Sequence, residues 1–257
     1  MRHSRYGHFQ FVRALPTLTV TDLLSIADPH SLRNPFKGEA TKWRNWLIVN
    51  LLLLGGLRRG EILLLQADSA KSDVDPNTRE LVSWLNVTTH FGTDDRTTRP
   101  SLKTAHAHRQ IPISAGLADL FEYYVAVHRQ TTAPHGFLLT SKTGTPLSAE
   151  SVTKLFQKLT RALTDEARAH FSERTGGKET VSPHDLRHTC ATARYSMFMA
   201  LDSNRELALQ RMRAFFGWSY SSSMPEHYAR AAIEDDLIRT WNLLFDTKVN
   251  LLRETGK

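Results

Sequence analysis

The segment from His184 to His188, with the sequence His-Asp-Leu-Arg-His, carries side chains suited to binding an anion. His184 and Arg187 lie three residues apart, so in a helix they share one face and could point at one phosphate. Arginine offers a planar fork of donors that matches phosphate oxygens, and a histidine near a helix N-terminus can exchange protons there. A solvent-exposed helix face is the alternative interpretation.

A second cation, Arg58, lies in the sequence Gly-Leu-Arg-Arg-Gly-Glu, directly after an apolar run from Leu47 to Leu57. A charge at the end of a buried helix is costly unless an anion binds there. The pattern therefore predicts a second phosphate ligand at a helix junction. The alternative is that Arg58 caps backbone carbonyls or pairs with Glu61.

Tyr228 is a candidate nucleophile. It lies between His227 and Arg230, after a Ser223-x-x-Glu226 helix-start signature. On such a short capped segment we expect a partly exposed phenol whose pKa is lowered by nearby cations, which favours attack as a phenolate. Packing of this tyrosine at the protein surface is the alternative.

Histidines at metal-ligand spacing also occur. His184 and His188 are four residues apart, and His106, His108 and Cys190 are further possible ligands. A helical metalloprotease pair needs glutamate after its first histidine, where this chain has aspartate, and no third ligand recurs at a regular spacing. We therefore expect neither a metal site nor a cofactor.

The hydrophobic pattern predicts a mainly α-helical chain with a small antiparallel β-sheet, an α+β fold. Strands are expected at residues 80–87 and 110–113, with Lys103 on the hairpin between them. A helix that follows Ser148 has apolar residues at the spacing of one helical face. The other predicted helices lie within 43–57, 59–66 and 116–129, or begin at the signatures Ser182-Pro183, Ser203-x-x-Glu206 and Ser223-x-x-Glu226.

Composition narrows the class of partner. The chain has 257 residues, of which 40% are hydrophobic, enough to bury a substantial core. Its 33 Lys and Arg against 26 Asp and Glu give a net charge of +7, which favours nucleic acid, although a merely soluble basic protein would share this balance. One cysteine, no signal segment and no membrane-length apolar run favour a cytoplasmic protein without membrane attachment.

Taken in order, these motifs resemble the tyrosine recombinase (phage integrase) family, over roughly Leu15 to Ala231. The resemblance rests on the arginine of the GLRRGE turn, a lysine before a QIPI strand, a HDLRHT helix, a Phe-Gly-Trp helix end and a tyrosine ten residues after that tryptophan. It implies the family's catalytic-domain fold. It also implies a pocket around a scissile phosphate with Tyr228 as nucleophile and Glu61 in support. The implied pocket residues are Arg58, Lys103, His184, Arg187 and Trp218.

The reaction implied by this resemblance is site-specific cleavage and rejoining of double-stranded DNA through a 3′-phosphotyrosyl intermediate, without a metal. Lys103 would protonate the departing 5′-hydroxyl, and His184 would orient the phosphate or accept the tyrosyl proton. A type IB topoisomerase or a hairpin-forming resolvase would share the pocket, and a non-catalytic DNA-binding protein would share the fold. The resemblance also implies a homo-oligomer, a tetramer, on DNA.

The sequence departs from the family pattern in three respects. Trp218 stands where most members have a second histidine, and its N–H can donate a hydrogen bond but cannot shuttle a proton. The spacing from Trp218 to Tyr228 is one residue longer than the commonest one, which leaves Tyr220 as a second candidate nucleophile. Members usually place a helical DNA-clamping domain before the catalytic one, so this chain is either a catalytic fragment or a member without that domain.

We expect three parts along the chain: an N-terminal extension or linker (1–16), the catalytic domain (17–232) and a C-terminal helix and tail (233–257). In the last part, Ile233, Leu237, Trp241 and Leu244 form an apolar stripe at helical spacing. In the family such a tail commonly docks on a neighbouring protomer. A helix folded back on its own core is the alternative.

Overall fold

The computed structural model describes residues 14–89, 94, 96–102, 107–130, 133 and 135–241. Within these residues the chain forms nine α-helices and a three-stranded sheet, which confirms the predicted mainly α-helical α+β fold. The helices are α1 (Thr17–Ala27), α2 (Glu39–Leu53), α3 (Arg59–Leu64), α4 (Ala115–Tyr123, continued by a π-helical turn, Tyr124–His128), α5 (Ala149–Ala162), α6 (Asp165–Thr175), α7 (Pro183–Leu201), α8 (Arg205–Phe216) and α9 (Met224–Trp241). The strands are β1 (Ala70–Val74), β2 (Leu81–Val87) and β3 (Arg109–Ile113).

The sheet is antiparallel, with the strand order β1-β2-β3. Leu85 on β2 pairs with Ile111 on β3, and both side chains are fully buried against the helices. The two predicted strands are confirmed as β2 and β3. Strand β1 was not predicted, because four of its five residues are exposed and its sequence is largely polar. Lys103 belongs to the connection between β2 and β3, and residues 103–106 lie outside the described residues.

Helix α2 lies at the centre of the core. Residues 47–52 are all buried, and α1, α4 and α7 pack against this helix. A helix that is apolar on all sides needs such neighbours around it, so the predicted buried helix is confirmed. It ends at Leu53, earlier than expected, and the turn at Gly55 and Gly56 leads to Arg58, the N-cap residue of α3.

Local capping signals place the helices that lead into the site. Ser182 and Asp185 form a capping box at the start of α7, with Pro183 in the first turn, as the sequence predicts. The predicted cap of α8 is wrong by one residue. The Asn204 side chain, rather than that of Ser203, accepts the Leu207 N–H at 3.1 Å.

Three further helical segments differ from the prediction, and the first is α1, which was not predicted from its weakly periodic sequence. The helix expected over 59–66 ends at Leu64, because the backbone of Leu65 is no longer helical (ψ 139°). Leu64 and Leu65 are nevertheless both buried, as the sequence predicts. Helix α6 was not predicted, because only Ala167 and Phe171 of its residues are buried and the apolar stripe is correspondingly weak.

Gly56 is the point where the central helix meets the site. Its φ is +59°, in the left-handed region that favours glycine. A Cβ atom at this position would overlap the Phe216 ring and lie 3.0 Å from Cys190 Sγ. The Gly56 carbonyl also accepts a hydrogen bond from the Arg187 guanidinium. Residues of α7 and α8 therefore meet at the glycine that follows α2.

We expect Gly56→Ala to lower the free energy of unfolding by about 2 to 4 kcal/mol, since backbone strain adds to overpacking against a buried ring. Gly116→Ala is the matched control, because Gly116 lies in α4 and a Cβ atom added there would have no heavy atom within 4 Å. That change should leave the stability equal or raise it by up to about 1 kcal/mol. Urea unfolding measures both, and equal stabilities of the two variants would contradict the prediction.

Candidate active site

Arg58 lies at the junction predicted for it and makes a close ion pair. Its backbone N–H donates to Glu61 Oε2 at 2.9 Å, and its Nη1 donates to Glu61 Oε1 at 2.6 Å. The pairing with Glu61 considered from the sequence is therefore present. The Arg58 side chain keeps 26% of its surface exposed, so its guanidinium remains accessible to a ligand.

Glu61 is a buried carboxylate that holds further arginines. It is 2% exposed, and Arg109 donates to both of its oxygens, at 3.2 Å and 3.0 Å. Arg187 Nη1 lies 3.7 Å from Glu61 Oε2. Burial acts to raise the pKa of Glu61, but hydrogen bonding and charge from Arg109, the charge of Arg187 and the Arg58 N–H together lower it below its usual range. Glu61 is thus ionised at neutral pH.

Sequence reasoning missed Arg109. It begins β3, and it also donates to the backbone carbonyls of Phe215 and Ala107, both at 2.8 Å. The one feature of the sequence that could have pointed to Arg109 was its position, as a charged residue at the start of a short apolar strand. Arg109 therefore connects the end of the β2–β3 connection, the end of α8 and the carboxylate of Glu61.

Arg187 is almost completely buried. Its guanidinium donates to the carbonyls of Gly56 and Phe216, and it lies over the rings of Phe216 (4.9 Å) and Trp218 (5.6 Å). Burial, with a contribution from Arg58, lowers its pKa to about 10, so it remains protonated at neutral pH. The protein thus keeps a fixed positive charge in a region of low dielectric constant.

A cavity of about 350 Å³ opens between α3 and the start of α7. Three arginine side chains and one histidine are among its lining residues, and the capped N-terminus of α7 forms part of its wall. Cationic side chains and a helix N-terminus both favour an anion. The lining residues are Arg58, Arg59, Gly60, Ser182, Pro183, His184 and Arg187. The structure therefore brings together the two motifs, GLRRGE and HDLRH, that the sequence suggested as phosphate ligands.

Tyr228 lies beside this cluster, but not in the environment expected from the sequence. It is 1% exposed, and its ring stacks on Trp218 at 5.4 Å and 11°. Burial raises its pKa to about 12, although the charges of Arg187 and Arg58 act to lower it. The expectation of a partly exposed phenol with a lowered pKa is wrong, because α9 packs this residue against α7 and α8.

A hydrogen bond of 2.7 Å joins Tyr228 Oη to Nδ1 of His188. The sequence drew attention to His188 as a possible metal ligand and missed this contact. The ring of His188 lies 4.0 Å from that of His184, in an edge-to-face arrangement. Desolvation, followed by the charge effect of His184, lowers the pKa of His188 to about 4, so its imidazole is neutral at physiological pH.

Lys178 is a further cation that the sequence did not single out. It lies in the loop between α6 and α7, and its ammonium group donates to Asp185 Oδ1 at 2.7 Å. Asp185 also accepts hydrogen bonds from the N–H and hydroxyl of Ser182. The capping carboxylate of α7 thus holds a lysine near the two histidines.

Other candidates from the sequence lie apart from this cluster or outside the description. Tyr220 is 79% exposed, and its ring lies 5.9 Å from the Arg213 guanidinium. Lys103 and His106 lie outside the described residues. In the described part of the chain, no group of three or more His, Cys, Asp or Glu side chains could hold a metal ion. Nor does any helix there have the length and apolar character needed to cross a membrane.

Solved structures with a similar fold are recombinases and integrases. XerA recombinase matches with a TM-score of 0.55 at 16% identity, covering 95% of this chain and 66% of that one. XerH site-specific recombinase, in a post-cleavage complex with a palindromic difH substrate, matches with a TM-score of 0.57 at 14% identity, covering 93% and 55%. The Tn1549 transposon integrase in complex with circular intermediate DNA matches at 0.52 and 20% identity, covering 86% and 65%. At these identities the likeness shows the shared fold.

This chain spans between about half and two thirds of the length of these matched structures. Among curated proteins, no sequence matches it. The sequence model of the phage integrase family, in contrast, matches residues 19–234, which is most of the chain. The motifs, the fold and this match agree, and the chain belongs to the phage integrase family, the tyrosine recombinases.

Proposed function

We propose that the chain is a site-specific DNA recombinase that cleaves and rejoins strands through a phosphotyrosyl intermediate. The observation that carries the proposal is the position of Arg187. Its side chain and that of Arg58 both line the cavity between α3 and the start of α7. Arg187 also lies over the Trp218 ring, on which Tyr228 stacks. A phosphate ligand and a candidate nucleophile are thereby neighbours in one folded unit.

The proposed reaction begins with a DNA phosphate bound by Arg58, Arg187 and His184. Tyr228 Oη attacks phosphorus and gives up its proton to His184, the P–O5′ bond breaks, and Lys103 protonates the departing 5′-oxygen. The 3′-phosphate remains joined to the tyrosine. Negative charge grows on the non-bridging oxygens, where fixed guanidinium groups stabilise it without the need for a metal. Trp218 donates a hydrogen bond or packs, and Glu61 holds the arginines in place. The link conserves the energy of the phosphodiester, so a 5′-hydroxyl from another strand can reverse the step.

Double-stranded DNA is the proposed partner. The net charge of +7 favours a polyanion, and XerH and the Tn1549 integrase were solved in complex with DNA. Action on DNA supports a cytoplasmic location, at the nucleoid or its equivalent. Exchange between two duplexes needs several active sites at once, which supports a homo-oligomer, a tetramer, on DNA.

Tyr228→Phe should abolish denaturant-resistant protein–DNA adducts while leaving DNA binding nearly unchanged, since the substitution removes one hydroxyl. Nicked duplex DNA that traps the cleaved state provides the assay, with and without EDTA. Tyr220→Phe is the matched control and should retain adducts in both buffers.

If Tyr228→Phe still forms adducts and Tyr220→Phe does not, the nucleophile is misassigned. Loss of wild-type adducts in EDTA, restored by Mg²⁺, would refute the metal-independent reaction. Binding of nicked DNA by the wild type without any adduct would indicate a non-catalytic DNA-binding protein. Relaxation of supercoiled DNA without strand exchange would indicate a topoisomerase.

Lys103 is the proposed general acid. Lys103→Ala should slow cleavage by on the order of 10² to 10³, because the departing 5′-oxygen then lacks a proton donor. A substrate with sulfur at the 5′-bridging position has a better leaving group and should recover much of the lost rate. The control is Lys142→Ala, whose rate should be similar to wild type on both substrates. If Lys103→Ala slows cleavage equally on both substrates, Lys103 binds DNA but is not the general acid.

We also propose that the end of the chain docks on a neighbouring protomer. Helix α9 runs from Met224 through Tyr228 to Trp241, so the boundary expected at 232/233 falls inside one helix. Ile233, the first residue of the apolar stripe, is 58% exposed. The side chains of Leu237 and Trp241, and all of Leu244, lie outside the described residues. An exposed apolar residue on the helix that carries the tyrosine supports a coupling of assembly to catalysis.

Removal of residues 237–257 should leave binding to a single DNA site intact, abolish cooperative assembly and lower the cleavage rate. Gel shifts at fixed salt measure the first two, and adduct formation measures the third. If the shortened chain unfolds or loses all DNA binding, the stripe belongs to its own core and the docking proposal fails.

A further inference from the structure

A hydrogen bond joins α7 and α9 at the proposed nucleophile, Tyr228. Tyr228 Oη and His188 Nδ1 are 2.7 Å apart, and these residues are 40 positions apart in the sequence. Tyr228 is 1% exposed and His188 is half-buried. A phenol hydroxyl is a stronger hydrogen-bond donor than a neutral imidazole N–H, and an imidazole nitrogen is the better acceptor. The hydroxyl of Tyr228 therefore donates, and the proton of His188 lies on Nε2.

We propose that His188 is a positioning residue, which fixes the direction of the Tyr228 hydroxyl through the hydrogen bond that it accepts at Nδ1. This inference rests on the proposed function, in which Tyr228 Oη attacks phosphorus. Stacking on Trp218 sets the plane of the ring, at 11° between the two rings. Stacking alone leaves the ring free to slide and turn within that plane. The second contact, at the oxygen itself, removes this freedom.

His188 is a poor proton acceptor for this phenol, which separates positioning from general-base catalysis. Burial raises the pKa of Tyr228 to about 12 and lowers that of His188 to about 4, so in the resting site the proton stays on the phenol oxygen. The titratable or charged groups whose charge affects the pKa of His188 are His184, Asp185, Lys178 and Arg187. Those whose charge affects the pKa of Tyr228 are Arg187, Arg58 and Cys190.

Binding of DNA does not close this difference. A phosphate in the cavity adds negative charge near both groups, and negative charge stabilises the protonated form of each. Both pKa values therefore rise together. The neutral imidazole keeps an unprotonated Nδ1 that accepts the hydrogen bond of Tyr228 in the resting site. When the O–P bond forms, the proton of Tyr228 passes to His184 in the proposed reaction.

The test compares two substitutions of similar size. In His188→Asn, the side-chain oxygen can occupy the position of Nδ1 and accept the same hydrogen bond, but it cannot take a proton at any physiological pH. In His188→Leu, no acceptor remains. We expect His188→Leu to lower the rate of adduct formation on nicked DNA by about 10²-fold at unchanged DNA affinity, as for a misplaced reacting group. His188→Asn should recover most of that loss, and its rate should follow the same pH profile as wild type between pH 6 and 9.

Thermal unfolding of both variants checks that the fold is kept. Nitrogen NMR of histidine-labelled wild-type protein provides a readout that needs neither a variant nor DNA. It should show His188 protonated at Nε2 and unprotonated at Nδ1, with the Nδ1 signal shifted in Tyr228→Phe. A protonated Nδ1 at neutral pH would overturn the proposal.

The catalytic outcomes separate this inference from the proposed function. If His188→Asn is as slow as His188→Leu, and its rate rises about tenfold per pH unit relative to wild type, His188 is a general base and the proposal is wrong. If His188→Leu forms adducts as fast as wild type, His188 has no positioning role, while the proposed function stands. If wild-type protein forms no adducts on DNA that it binds, the proposed function fails and the positioning role fails with it.

Discussion

The buried carboxylate of Glu61 allows three arginines to share one small volume. Arg58, Arg109 and Arg187 all lie within 3.7 Å of its oxygens, where their charges would otherwise repel at low dielectric constant. Three guanidinium groups and one carboxylate leave a net charge of +2 at the site. An isolated buried charge would be very costly, so removing the carboxylate would disrupt the cluster as well as weaken it. The residual positive charge suits an anion whose own charge grows during reaction.

The same cluster determines the environment of Tyr228. Arg187 donates to the carbonyls of Gly56 and Phe216, and its guanidinium lies over the rings of Phe216 and Trp218. The Trp218 ring in turn stacks on Tyr228. The cavity and the proposed nucleophile are therefore linked through Arg187, which lines the one and lies over the Trp218 ring that stacks on the other. Burial keeps the phenol protonated, since the effect of desolvation on its pKa exceeds that of the two nearby arginines. In the proposed reaction, the nearby guanidinium groups would stabilise the negative charge that develops as this neutral, enclosed phenol attacks.

The scaffold contributes rigidity at the positions where these groups meet. Helix α2 is enclosed on several sides, and its end is joined to the site by a glycine whose neighbours leave no room for a methyl group. Helix α7 begins with a complete capping box, so the direction of His184, Arg187 and His188 is set by backbone hydrogen bonds rather than by loop conformation. Arg109 ties β3 to the end of α8. Charged groups held by regular elements need little reorganisation during a reaction.

The sequence alone determined those features that depend on neighbours along the chain. The N-cap at Ser182, the amphipathic face of α5, the apolar α2 and the junction at Arg58 all follow from patterns within about one or two helical turns. The motif order also identified the family, because it needs no knowledge of contacts. Features that depend on distant partners needed the tertiary structure. Arg109 meets Glu61 across 48 residues, and His188 meets Tyr228 across 40. The burial of Tyr228, and hence the sign of its pKa shift, follows from the packing of α9 on α7 and α8, which no local spacing specifies.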